Sequence, residues 1–157
     1  MHILAFTVAG QPYAIPARTV VEVLPLVPAR PLPLLPDYMA GVFTYRGRMV
    51  PLVDLASRFG AAAGRTGGRL STRVIVVEFA PGGLAGAMRL GLVADDVISI
   101  EEAAETDPVA PSSGTVPFLG RLVRLGGTTV QMVVVERLLP DDLLAGLATV
   151  ASGAVGT

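Results

Sequence analysis

Residues 36–55, Pro-Asp-Tyr-Met-Ala-Gly-Val-Phe-Thr-Tyr-Arg-Gly-Arg-Met-Val-Pro-Leu-Val-Asp-Leu, leave the chain few ways to fold. They predict a short helical turn, a glycine break and two strands joined by a tight turn. Residues 42–45 and 49–53 are rich in strand formers. Gly47 between them supplies the positive φ that a two-residue hairpin turn takes at its first central position. Asp54 then stands at the N-cap of a short helix, with Leu55 and Phe59 on one face and Gly60 as its end. Arg46 falls at a strand end beside the turn, where its backbone is fixed and its guanidinium can still reach a partner.

The rest of the chain has the same grain. Strands are expected over residues 3–8 and 13–15, across a turn at 9–12, then a helical turn at 17–20 and an extended run at 21–24. Pro25, Pro28, Pro31 and Pro33 forbid a long helix through Leu35 and leave an edge strand with an irregular connector. Residues 61–70 and 101–111 read as loops, 81–86 as a turn, and 73–79, 87–93 and 97–100 as strands. A second hairpin spans 118–125 and 130–135 across Gly126-Gly127, and a short amphipathic helix follows at 141–147, with Asp141 and Asp142 suiting its N-terminus. Residues 41–55 and 120–139 echo one another: glycine, strand, Gly turn, strand, acidic residue and short helix. The period-2 runs and frequent turns point to an all-β fold of two similar subdomains, one domain over 1–147 with a flexible tail at 148–157.

Composition narrows the function. With 157 residues, 52% of them apolar and 16% charged, the chain is expected to form one packed domain burying about 70% of its unfolded surface. Mean hydropathy is +0.62, yet no apolar run reaches the roughly 20 residues that span a bilayer. No signal-like segment opens the sequence, so the cytoplasm is the expected compartment. A net charge of −1 with scattered Arg residues offers no nucleic-acid footprint. Without Cys there is neither a disulfide nor a thiolate metal site.

Catalytic candidates fall away in turn. The single histidine is His2, at the terminus, which argues against a Ser-His or Cys-His pair. The acidic neighbourhood of Asp95, Asp96, Glu101, Glu102 and Glu105 lacks the ligand spacing of a Ca²⁺ loop. Asp37 and Asp54 sit where caps belong, and residues 64–68 lack the Lys and Ser/Thr of a phosphate loop. The expectation is a binding protein with no cofactor and no metal.

The stretch closing at Leu55 resembles the CheW family pattern LPxYxxGVxxxRGxxxPxxDL. Leu35, Pro36, Tyr38, Gly41, Val42, Arg46, Gly47, Pro51, Asp54 and Leu55 fall in register with it. Tyr13-Ala14-Ile15 with Val20-Val21-Glu22-Val23, residues 91–97, Phe118-Leu119-Gly120 and residues 136–139 resemble further family elements, so the likeness spans about residues 3–147. Thr44 stands where the family often has Asn, Ala94 where a bulkier Val is usual, and Val134 where Asp or Asn is common.

The resemblance implies two five-stranded SH3-like β-barrels packed side by side with short helices. It implies an adaptor that joins the cytoplasmic tips of methyl-accepting chemoreceptors to the regulatory domain of a CheA-type histidine kinase. The kinase domain would pack barrel to barrel, and the receptor's helical tip would lie in an apolar groove. Such a protein is not an enzyme, touches neither nucleic acid nor the bilayer directly, is a monomer in isolation, and is recruited to membrane-associated arrays. The alternative is a paralogue serving a non-flagellar pathway such as surface sensing or pili. The partner-binding residues implied are Val20, Glu22, Gly41, Val42, Arg46, Gly47, Val93 and Val97, with Arg46 pairing to Glu22. Core packing for the four valines, and a local turn role for the two glycines, stay open.

Overall fold

The computed structural model describes residues 1–60, 70–81, 86–105 and 116–154. The first half carries β1 (His2–Val8), β2 (Gln11–Pro16), a 3-10 turn (Ala17–Thr19), β3 (Val20–Pro25), β4 (Met39–Tyr45) and β5 (Arg48–Asp54), closed by helix α1 (Leu55–Arg58). Then come β6 (Arg73–Phe79), β7 (Met88–Ala94), β8 (Ile100–Glu102), β9 (Ala104–Glu105), β10 (Leu119–Leu125) and β11 (Thr128–Val133). A second 3-10 turn (Val135–Arg137) leads to helix α2 (Asp141–Ala154).

The strands form two sheets. Sheet one has the order β8-β1-β2-β11-β10-β9, and sheet two β3-β6-β7-β5-β4. They are built alike. In sheet one, the hairpins β1–β2 and β10–β11 are joined by parallel pairing of β2 with β11. In sheet two, the hairpins β6–β7 and β4–β5 are joined by parallel pairing of β7 with β5. The echo between residues 41–55 and 120–139 is this repetition.

Sheet one counts six strands because Ala103 alone interrupts what would be its fifth: β8 borders β1, and β9 borders β10. The counterpart in sheet two is β3 with Arg30. Beyond β3 the proline-rich connector returns to β4, where Arg30 and Val42 exchange backbone hydrogen bonds of 2.8 and 2.9 Å.

Burial explains the apolar composition. Along β6, Val74 and Val76 pack inside sheet two with Phe43, Tyr45, Val50, Leu52 and Val93. The alternate residues Ile75, Val77 and Phe79 join a larger core shared with Leu4, Phe6, Val8 and Ile15 of sheet one. Strand β1 divides the same way, sending Ile3 and Ala5 to a core of sheet one with Val123, Val130 and Met132. Strands covered on both faces read as uninterrupted apolar runs, as residues 74–77 do. Helix α2 adds Leu144 and Leu147 to the shared core.

Four local expectations are corrected. The strand expected at 97–100 is lost up to Ser99, because Asp96 at φ +49° turns the chain and the ladder resumes only at Ile100. The loop expected from residue 101 instead holds the end of β8 and all of β9, since the edges of β1 and β10 need partners. Helix α2 runs to Ala154, past the expected 147: the uncharged residues 148–154 include no proline to stop it. The β4–β5 turn is Arg46-Gly47, so Gly47 takes the second central position and Arg46 the first. The expectations at 61–69, 82–85 and 106–111 lie outside the described residues.

Candidate functional site

The Arg46-Gly47 turn organises one end of sheet two. Tyr45 pairs with Arg48 across it, and both central residues have positive φ, +49° and +78°. This is the type I′ geometry that matches the twist of the flanking strands. For Arg46 the left-handed conformation costs roughly 1–2 kcal/mol. Two contacts hold it there. Its guanidinium carbon lies 5.1 Å from the Tyr45 ring centroid, and Nη2 donates to Glu22 Oε1 at 3.0 Å.

Glu22 reaches that position because β3 is irregular between Val20 and Glu22, which sets Glu22 opposite Val76 of β6. The same Oε1 accepts the Tyr45 hydroxyl. Tyr45 is buried, its ring packed with Phe43 and its hydroxyl at the rim, an apolar body with a polar tip. The hydrogen bond to the Glu22 carboxylate, reinforced by burial, holds the Tyr45 phenol above its usual range, against a smaller opposing pull from Arg46 and Arg89.

Arg89 of β7 faces Glu78 of β6 in register, Nη2 to Oε2 at 3.6 Å, and lies 5.8 Å from the Tyr45 ring centroid. Two ion pairs thus flank one tyrosine, drawn from β3, β6, β7 and the end of β4. The Arg46 side chain is 66% exposed and that of Glu22 40%. A guanidinium carries five N–H donors in a planar fork, so Arg46 retains capacity for a second acceptor such as a carboxylate. Val23, beside Glu22 on β3, and Leu26 just beyond it are exposed. Successive strand residues face opposite sides, so Val23 is exposed on the other face of β3 from Glu22, and the surface at Glu22 and Arg46 is a charged one.

The other expected residues separate into two groups. Val20 and Val97 are half-buried at the margin of the shared core. Val42 and Val93 are 2% and 3% exposed, so they offer the surface almost nothing; Val93 packs inside sheet two and Val42 holds the bridge to Arg30. A Cβ on Gly41 would lie 2.2 Å from the Arg30 carbonyl oxygen, so the close approach that Gly41 permits is by the chain's own connector. Around Gly47 there is open space, and its requirement is the positive φ. Tyr45, Glu78 and Arg89 were not among the expected residues. Their only sequence signal is a polar residue at the end of an apolar strand, which acquires meaning once strand register sets Glu78 against Arg89.

Comparison with known proteins agrees with this architecture. The family model described as CheW-like domain matches residues 2–143. The chain is 25% identical over 141 residues to a chemotaxis protein CheW of Rhizobium meliloti, covering 90% of this chain and 88% of that protein. It is 31% identical over 109 residues to protein FrzA of Myxococcus xanthus, covering 69% and 63%. The crystal structure of the scaffolding protein TtCheW from Thermoanaerobacter tengcongensis superposes with a TM-score of 0.67 at 25% identity, covering 84% of this chain and 87% of that one. With the repeated two-sheet fold and the Arg-Gly hairpin in place, the chain belongs to the CheW-like family of chemotaxis adaptor and scaffold proteins.

Proposed function

We propose that this chain is a non-enzymatic coupling protein that joins chemoreceptor cytoplasmic tips to the regulatory domain of a CheA-type histidine kinase. The observation that carries this reading is the surface pair Arg46–Glu22, at 3.0 Å on a rigid hairpin turn, within a fold of the CheW-like family. The mechanism is positional. Sheets that share a core present separate faces at a fixed spacing, and weak contacts on each face are multiplied by avidity in an array. The kinase domain and the receptor helices divide the surface around Glu22, Arg46 and Gly47 and the margin of the shared core at Val20 and Val97. Among the described residues no helix is long and apolar enough to cross a membrane. On the coupling reading, recruitment to the membrane runs through the receptors, from the cytoplasm. The relatives carry two different names, CheW and FrzA, so the second reading is a paralogue with the same mechanics serving a non-flagellar chemosensory pathway.

Calorimetry with the regulatory domain of each CheA-type kinase in the genome tests the proposal, using wild type and Arg46→Glu with a melt of each. Micromolar or tighter binding is expected for wild type, and the kinase that binds distinguishes the two pathways. An Arg46→Glu protein that is folded and binds kinase but no longer couples receptor assigns Arg46 to the receptor side. A wild-type protein that melts cooperatively and binds no such kinase overturns the coupling reading.

A further inference from the structure

We infer that Arg58 is a positioning residue that latches the two sheets at one relative orientation. It lies on α1, directly after β5 of sheet two, and is half-buried. Its Nε donates at 2.7 Å to the carbonyl oxygen of Leu138, which follows β11 of sheet one. Its guanidinium carbon is 4.8 Å from the ring centroid of Tyr38, before β4, and 4.6 Å from that of Phe118, before β10. One side chain therefore touches structure from both sheets through a charge-assisted hydrogen bond and two ring contacts. The neighbouring Phe59 extends the tie. Its ring stacks on Phe118 at 5.2 Å with planes 8° apart, and lies 4.8 Å from Tyr13 of β2.

The rest of the junction explains why a latch matters. The shared core is apolar, and apolar burial is non-directional, so it resists separation more than sliding. A second directional tie comes from a different element. Thr7 of β1 exchanges backbone hydrogen bonds of 2.8 and 3.0 Å with Asp95 and donates its hydroxyl to Asp96 at 2.7 Å. These bonds, with the Ile98 amide on the Ala5 carbonyl at 2.9 Å, all hold β1 to the segment after β7; Arg58 ties different elements, joining α1 to the segments flanking β10 and β11. Where the chain acts as a coupling protein, which rests on the reading above, the angle fixed by Arg58 also sets the spacing of the two partner faces.

The chain has no cysteine, so Arg48→Cys and Thr129→Cys, exposed positions on β5 and β11, place one spin label on each sheet. Pulsed dipolar spectroscopy then reads the distance between sheets with no partner present. With Arg58 intact a single narrow distribution is expected. Arg58→Met, and Arg58→Lys, which keeps the charge but loses the planar fork, should each widen it about twofold while still melting cooperatively. An unchanged width in either folded variant overturns the latch. If Arg58→Met does not fold, the Lys variant decides. In a coupling assay, Arg58→Lys should bind kinase alone as wild type does but lose ternary assembly with receptor. Failure of the coupling reading would show separately, as wild type that binds no kinase.

Discussion

Arg46 Nη2 and Glu22 Oε1 meet at 3.0 Å across the end of sheet two, from positions 24 apart in the chain. Both side chains are well exposed, so the pair is a surface one, worth about 0–1 kcal/mol to the fold. Arg46→Ala is therefore expected to lower unfolding free energy by less than about 1 kcal/mol. Its loss of partner affinity should be the larger effect. A buried pair would behave differently, because removing one partner then costs about 3–5 kcal/mol. Paired urea titrations and calorimetry check this, and a stability loss near the buried value would show that the role is structural.

Two glycines of the same hairpin should respond unequally to alanine. At Gly41 the added Cβ meets the backbone of Arg30 at 2.2 Å, and backbone cannot swing aside. Gly41→Ala must therefore push the connector off β4 and break the Arg30–Val42 bridge, a loss of more than about 4 kcal/mol. At Gly47 nothing obstructs the Cβ, and the cost is that of positive φ alone, about 1–2 kcal/mol. Comparative chemical denaturation, or soluble yield where Gly41→Ala is too unstable to purify, should give this order. Equal losses would mean that the connector yields.

What was legible in the sequence was local. Asp54 could be read as an N-cap from its place between a strand and a short helix, and its Oδ1 indeed accepts from the Ala56 amide at 3.1 Å. The repeated hairpins showed through because turn chemistry is written in neighbouring residues. Features that depend on distant chain were not legible. Arg58 resembles any helix-end arginine until Phe118 and Leu138 arrive from the other sheet. Gly41 could not reveal that its close neighbour is Arg30, returning after a run of prolines. Valines at 42 and 93 have the same strand propensity whether a strand faces a groove or a core, and only packing within sheet two, with the connector returning at Arg30, buries them.

Alkaline pH should destabilise the protein through two tyrosines. The phenol of Tyr45 is raised chiefly by its hydrogen bond to Glu22, and that of Tyr13 by burial. In both, the fold favours the protonated form. The associated stabilisation is complete below the ordinary phenol pKa of about 10 and is lost as pH rises through the higher folded values. Urea midpoints should hold steady on the neutral side of that value and decline above it, in step with phenolate absorbance. Tyr45→Phe should start from a lower plateau and decline less steeply. A decline already complete below pH about 9 would contradict this assignment.

The two halves of the repeat differ at one cap, and the difference can be exploited. Asp54 caps α1 with its carboxylate, whereas Val134, in the corresponding place before the second 3-10 turn, offers no side-chain cap. Its backbone is already extended, φ −91° and ψ 100°, close to the −85° and 107° of Asp54, so a capping side chain would need no backbone change. Asp54→Ala should cost about 0.5–2 kcal/mol. Val134→Asp should gain at the low end of that range, because the turn is short and some apolar contact with the shoulder of Gly120 is given up. Equilibrium urea unfolding of the two single variants and the double variant checks both signs. Their effects need not add, since Arg58 of α1 donates to Leu138 at the end of the second turn and so joins the two capped segments. A destabilised Val134→Asp would show instead that the half-buried valine contributes more by packing than the turn gains from a cap.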